Sequence, residues 1–153
     1  MNIVIRQATA LDADALVKLR ALMFDSMGTP HNDRWQAGAT KWFHTACSDA
    51  DVRVLVADQD GEVVACGMGS VQRSVPSPGT PSGVGVYLGN FATLPSARGQ
   101  GLARQILSEL LAWAAGVGAD RAELHASAMG RPIYESFGFV ETACPSMRLS
   151  LSH

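Results

Sequence analysis

Apolar positions in this chain change period as the sequence proceeds, and each change marks an element. Ile3 and Ile5 alternate with polar neighbours from Asn2 to Arg6, which predicts a first strand. Thr9 with Asp12 three residues on has the spacing of a capping box, so a helix follows. Leu16, Leu19 and Met23 recur at helical spacing until Gly28-Thr29-Pro30 breaks the run, and a second helix from near Asp33 carries Trp35, Trp42 and Phe43. Val52 to Ala57 and Glu62 to Gly69 are β-rich and joined by Asp58-Gln59-Asp60-Gly61, a hairpin signal that gives strands two and three. Pro76, Pro78 and Pro81 lie between Ser74 and Gly83, which reads as an intradomain loop.

An apolar run from Val84 to Pro95 predicts a fourth strand. Leu102, Ile106, Leu110 and Trp113 or Ala114 then share one face of a helix that Gly116-Val117-Gly118 ends. Arg121 to Ala126 reads as a short fifth strand, and Val140 to Leu151 as one or two further β segments around Pro145. The alternation of strands and helices without internal repeats predicts one mixed α/β (α+β) domain over residues 1–153, a length that supports one core.

Charge narrows the partners. With 12 basic and 14 acidic residues the chain has a net charge of −2, so it offers no overall pull toward nucleic acid or an anionic membrane. No apolar stretch is long enough to span a bilayer, and Asp12 and Asp14 interrupt anything resembling a secretory signal, so a cytoplasmic protein is expected. Cys47, Cys66 and Cys144 are odd in number and lack metal-ligand spacing; buried free thiols and no metal site are expected.

The chemistry concentrates at Arg98-Gly99-Gln100-Gly101-Leu102-Ala103, where a strand gives way to a helix through a glycine-rich turn. Free amides of such a turn and the positive end of the helix dipole suit a pyrophosphate. Two glycines and no lysine fit neither the dinucleotide fingerprint nor the P-loop. Downstream stands Pro132-Ile133-Tyr134-Glu135-Ser136-Phe137-Gly138-Phe139. In order and separation the two motifs resemble the GNAT superfamily of acyl-CoA-dependent N-acyltransferases, on the pattern Arg98-x-x-Gly101-x-Ala103 and the Gly138-Phe139 step. The resemblance is strong from about residue 84 to 140 and rests on element pattern before that.

That resemblance implies a central twisted mixed sheet of six to seven strands flanked by about four helices, and acetyl-CoA as the co-substrate. It implies that Arg98 to Ala103 hold the pyrophosphate, and that a disrupted stretch of strand four at Phe91, Ala92 and Thr93 aims backbone amides at the cofactor, with Gly89 easing the distortion. Tyr134 matches the family tyrosine that protonates the departing thiolate; the plainer reading is a helix tyrosine packed under the sheet.

No Asp, Glu or His lies between Val84 and Pro95, where many relatives carry a general base. His125 is the nearest candidate, beside water-relayed deprotonation or a half-buried strand histidine. Ala128 stands where relatives carry a cofactor-binding asparagine; Ser127 either compensates or caps the next helix. Phe24, Met27, His31 and Trp35 surround the helix break where relatives build the acceptor pocket, and Asn90 is a further candidate for acceptor contact.

The function these readings imply is transfer of an acetyl group from acetyl-CoA to a primary amine, a small molecule first, by direct attack in a ternary complex. The alternatives are a non-catalytic acyl-CoA-binding or regulatory domain, and acetylation of a protein or peptide amine. The resemblance also allows a homodimer, with no apolar seam the sequence assigns to it.

Overall fold

A computed structural model describes residues 2–151. Five strands form one sheet in chain order: β1 (Ile3–Gln7), β2 (Val52–Gln59), β3 (Glu62–Arg73), β4 (Val84–Thr93) and β5 (Arg121–Glu123). The first three junctions are antiparallel, whereas β5 lies parallel to β4. Helices α1 (Ala13–Ser26) and α2 (Gln36–Ala46) cover one face, α3 (Leu102–Gly116) covers the other, and the short α4 (Arg131–Ser136) follows β5.

Alternation along the central strands feeds both layers. Val54, Val56 and Cys66 pack with Leu16, Leu19 and Phe43 toward α1 and α2, while Leu55, Ala57, Ala65, Val86 and Leu88 meet Ile106, Leu107 and Leu110 of α3. Arg6 locks the start of α1 to the sheet. Its guanidinium donates to both Asp12 oxygens at 2.8 and 2.9 Å and to Asp58 at 3.1 Å, and Asp12 also accepts the Thr9 N–H at 2.8 Å. Those bonds, Arg6 first, hold the Asp12 carboxyl below the usual carboxylate range.

Several expectations change. The sheet has five strands rather than six or seven among the described residues, because β5 ends at Glu123 and the tail after Phe139 joins no strand, tied to α4 only where Glu141 accepts from Arg131. Val140, Met147, Leu149 and Leu151 are exposed there, so no core face holds that tail in register. Strand β3 runs on to Arg73, and the proline-rich loop closes on itself through Ser77 and Thr80, with Asp120 accepting from the Ser82 N–H and hydroxyl. Of the three free thiols, only Cys66 is buried; Cys144 is exposed, since it sits on the unpaired tail.

Candidate active site

A one-residue insertion in β4 organises the site. Cys66 of β3 opposes Ala92 and Met68 opposes Gly89, so Asn90 and Phe91 together face the single residue Gly67. The extra residue is accommodated at Asn90, whose φ is +56°, and not at Gly89 as expected. The insertion reverses the side-chain parity of the strand. Leu88 packs toward α3, Asn90 turns to α1, Phe91 returns to the α3 side and Ala92 goes back toward α1. Without it Phe91 would project into the α1 layer.

Phe91 lies over Gly67, where an added Cβ would come within 2.7 Å of the Phe91 ring and of Ile106. Its ring meets Tyr134 of α4 at 5.9 Å between centroids, and Phe139 flanks the other side of Tyr134 at 6.1 Å. Tyr134 is half-buried, and burial raises its phenol above the ordinary value, so it carries its proton at neutral pH. Its hydroxyl has no hydrogen-bond partner among the described residues, and Gly130 leaves room for the ring, with an added Cβ falling 2.9 Å from it.

Before the bulge β4 and β5 part. Their ladder has three rungs, ending at Tyr87 and Glu123, while β4 runs on to Thr93 beside β3 alone. Among the described residues β5 therefore pairs with no β4 group past Tyr87. A 3-10 turn at Pro95–Ala97 leads into Arg98, and Gly99 (φ +78°) and Gly101 (φ +74°) take the left-handed conformation that turns the chain into α3. No side chain caps that helix, and its first rung is Gln105 N–H to Gly101 O, so the amides ahead of it are available to an anion. Arg98, Gly99, Gln100 and Gly101 are exposed; Leu102 is buried and offers only its backbone, as Ala103 does beside it. These exposed residues make an open turn at the N-terminus of α3.

His125 lies two residues beyond β5, not within a strand, and its Nδ1 is 2.9 Å from the Tyr87 hydroxyl, with the rings edge to face at 5.5 Å. Ser127 accepts the Gly130 N–H at 3.1 Å, and its carbonyl accepts from Arg131, so it caps the turn into α4.

On the opposite face a cavity of about 570 Å³ opens between α1, α2 and β3, lined by Phe24, His31, Trp35, Trp42, Arg20 and Met68 among others. Phe24, His31 and Trp35 form a cluster with ring centroids 5.6 to 5.9 Å apart. Asp25 accepts from His31 Nε2 at 2.7 Å and raises its pKa. Met27 stays outside this lining, exposed to solvent. Asn90 is buried beside it, and its Oδ1 accepts from Arg20 at 2.8 Å.

Three residues escaped the sequence reading. Arg20 falls four residues from both Leu16 and Phe24 on the buried face of α1, and a charge in an apolar stripe was the available signal. Arg104 sits in the first turn of α3, where the dipole disfavours a cation, and donates to Ser136 Oγ at 2.7 Å, tying α3 to α4. Tyr87 became visible only through His125.

The family model for the acetyltransferase (GNAT) family matches residues 16–139. Among solved structures, the chain resembles a predicted acetyltransferase with acetyl-CoA from Clostridium acetobutylicum at 25% identity and a TM-score of 0.88, covering 98% of this chain and 97% of that one. It also resembles a GCN5-related N-acetyltransferase from Ralstonia eutropha JMP134 (24% identity, TM-score 0.86, covering 97% and 99%). Glucosamine-6-phosphate N-acetyltransferase from Arabidopsis thaliana shares the fold at 15% identity and a TM-score of 0.79, covering 97% and 99%. No curated protein matches the sequence significantly. An insertion in β4, a strand pair that parts, and an uncapped glycine turn before α3 are thus features of a chain that belongs to the GNAT acetyltransferase family. Among the described residues no helix is long and apolar enough to cross a membrane, and no cluster of His, Cys, Asp and Glu is arranged for a metal.

Proposed function

We propose that this protein is a cytoplasmic N-acetyltransferase that moves the acetyl group of acetyl-CoA to the primary amine of a small molecule, by direct attack in a ternary complex. The observation that carries this is the pairing of an unengaged, protonated Tyr134 hydroxyl with the Phe91 bulge, beside a cradle of free amides. Residues Arg98, Gly99, Gln100, Gly101, Leu102 and Ala103 hold the diphosphate through backbone groups, with Arg98 adding charge. Backbone amides around Phe91, Ala92 and Thr93 polarise the thioester carbonyl, a role that tolerates many side chains. Ser127 serves mainly to shape the turn that carries Tyr134.

The amine must lose a proton and the departing sulfur must gain one. Tyr134 supplies the second proton. His125 takes the first at Nε2 when its Nδ1–H donates to the Tyr87 oxygen, which makes Tyr87 a positioning residue that fixes the tautomer. The concave aromatic cavity favours a small acceptor over a peptide, with Phe24, His31 and Trp35 as its walls and Asn90 acting through its bond to Arg20; Met27 contributes at most to the rim.

The exposed Met147, Leu149 and Leu151 alternate with polar residues, as a half-buried strand does, and a homodimer that pairs these tails would bury them. Substituting Leu149→Glu and Leu151→Glu should then shift a dimer to monomer in sedimentation; an unchanged mass would reject that role.

Thiol release from acetyl-CoA across a panel of primary amines tests the whole reading. Turnover on small amines is expected. Tight binding of acetyl-CoA with no release on any amine would instead identify a non-catalytic acyl-CoA-binding domain.

A further inference from the structure

Among the described residues Arg20 has no carboxylate partner, and it faces a cavity whose lining contains no acid. The side chain is half-buried on α1, and one guanidinium nitrogen donates to Asn90 Oδ1 at 2.8 Å, which holds the group in place without neutralising it. Its guanidinium carbon lies 4.9 Å from the centre of the Phe24 ring, a contact that leaves the positive charge uncompensated. None of the residues lining the cavity is Asp or Glu. The nearby carboxylate of Asp25 is already engaged by His31 at 2.7 Å. The adjacent Cys66 thiol is pushed up to about 12 by burial and so stays neutral.

A guanidinium taken partly out of water is costly unless an anion meets it. Among the described residues none does, and a guanidinium presents its donors as a fork that matches a carboxylate. One singly committed arginine balances one negative charge, which favours a carboxylate over a phosphate dianion. Trp35, Trp42, Phe24 and Met68 around it suit an apolar body.

We propose that the acceptor is a small monoamine bearing a carboxylate and an apolar side group, such as a hydrophobic amino acid, with Arg20 of the α1 face binding the carboxylate. The proposal deepens the N-acetyltransferase reading and rests on it. Polyamines and other polycationic acceptors are disfavoured by the same charge, since the cavity offers them repulsion and no acid.

The test compares kcat/KM in the thiol-release assay for phenylalanine against phenethylamine and for leucine against isopentylamine, each at matched free-base concentration, with spermidine as the polycation. The wild-type protein should prefer the carboxylated member of each pair by about 10- to 100-fold, the range expected for a hydrogen-bonded charge pair. Arg20→Met should erase that preference. Arg20→Lys, which keeps the charge and loses the fork, should retain part of it through a raised KM with kcat preserved, and serves if Arg20→Met does not fold. Equal or better turnover of phenethylamine or spermidine by the wild-type protein, or a preference that survives both substitutions, overturns the carboxylate assignment while leaving the acetyltransferase reading intact. No thiol release with any amine overturns both.

Discussion

Replacing Tyr134 by Phe removes one oxygen from a ring held between Phe91 and Phe139, with centroid separations of 5.9 and 6.1 Å. Those ring contacts survive the substitution, and the hydroxyl has no protein partner to strand, so the fold should lose less than about 1 kcal/mol. The effect on chemistry is larger. A hydrogen bond to a charged partner is worth about 1.5–3 kcal/mol, which corresponds to roughly 10- to 150-fold in rate.

Because burial raises the phenol above its ordinary value, giving its proton to the thiolate costs free energy. A thiol ionises near 8.5 and a phenol near 10, so complete transfer is uphill by at least about 2 kcal/mol and the proton is shared as the bond breaks. The folded phenol stays protonated at neutral and mildly basic pH, so Tyr134 should contribute no loss of activity as pH rises from neutral into the mildly basic range. Thiol release should show kcat reduced about 10- to 100-fold at pH 7.5, while calorimetry gives an acetyl-CoA affinity within about twofold of wild type. An unchanged kcat refutes the acid role. A fall in affinity that matches the fall in kcat refutes it too, because it would show that the hydroxyl only binds.

Asp12→Asn breaks the fork to Arg6 and should cost about 1.5–3 kcal/mol at pH 7 by urea unfolding. The Asp12 pKa is depressed in the folded protein, so its stabilisation is present above the unfolded value near 4 and disappears as pH falls through the folded value; the gap between wild type and variant should therefore narrow as pH falls below about 4. Gly67→Ala forces a methyl to within 2.7 Å of Phe91 and Ile106 and should cost about 1–3 kcal/mol, seen as a lowered Tm. It should also lower kcat, because Phe91 carries the strain to Tyr134; a lowered Tm with full activity would separate the bulge from the chemistry. Brief alkylation of the native protein followed by peptide mapping should label Cys144 and spare Cys66, whose thiol is buried and held near 12. Label on Cys66 under native conditions would refute its burial.

Periodicity was enough to locate α1, α3 and the four antiparallel strands, because each has a broad apolar face: Ile106, Leu110 and Ala114 recur at helical spacing along the α3 stripe, and Ile3 and Ile5 repeat every second residue. The glycine turn at Gly99 and Gly101 was legible for another reason, since only a positive φ explains two glycines there. Edge elements were harder. β5 has three residues and no fully buried one, so its pattern could not mark where it stops, and His125 was read into a strand that ends at Glu123. The tail alternates as a strand should, yet alternation describes a face that could be buried and does not supply the partner.

The insertion at Asn90 was beyond periodicity altogether, and it decides the site. Asparagine tolerates the left-handed conformation, but nothing in Gly85 to Thr93 marks which residue takes it. One added residue sends Asn90 toward α1, where it anchors Arg20 from 70 positions away, and sends Phe91 toward α4, where it backs Tyr134. The same insertion explains Gly67, which opposes two residues and has room for no side chain beneath Phe91. A strand without the insertion would exchange these faces, placing Phe91 on the acceptor side and removing its ring from the proposed acid. The two proposed halves of the reaction, holding the amine and protonating the sulfur, would then be coupled through one backbone irregularity, and changes at Gly67 or Asn90 should disturb both together.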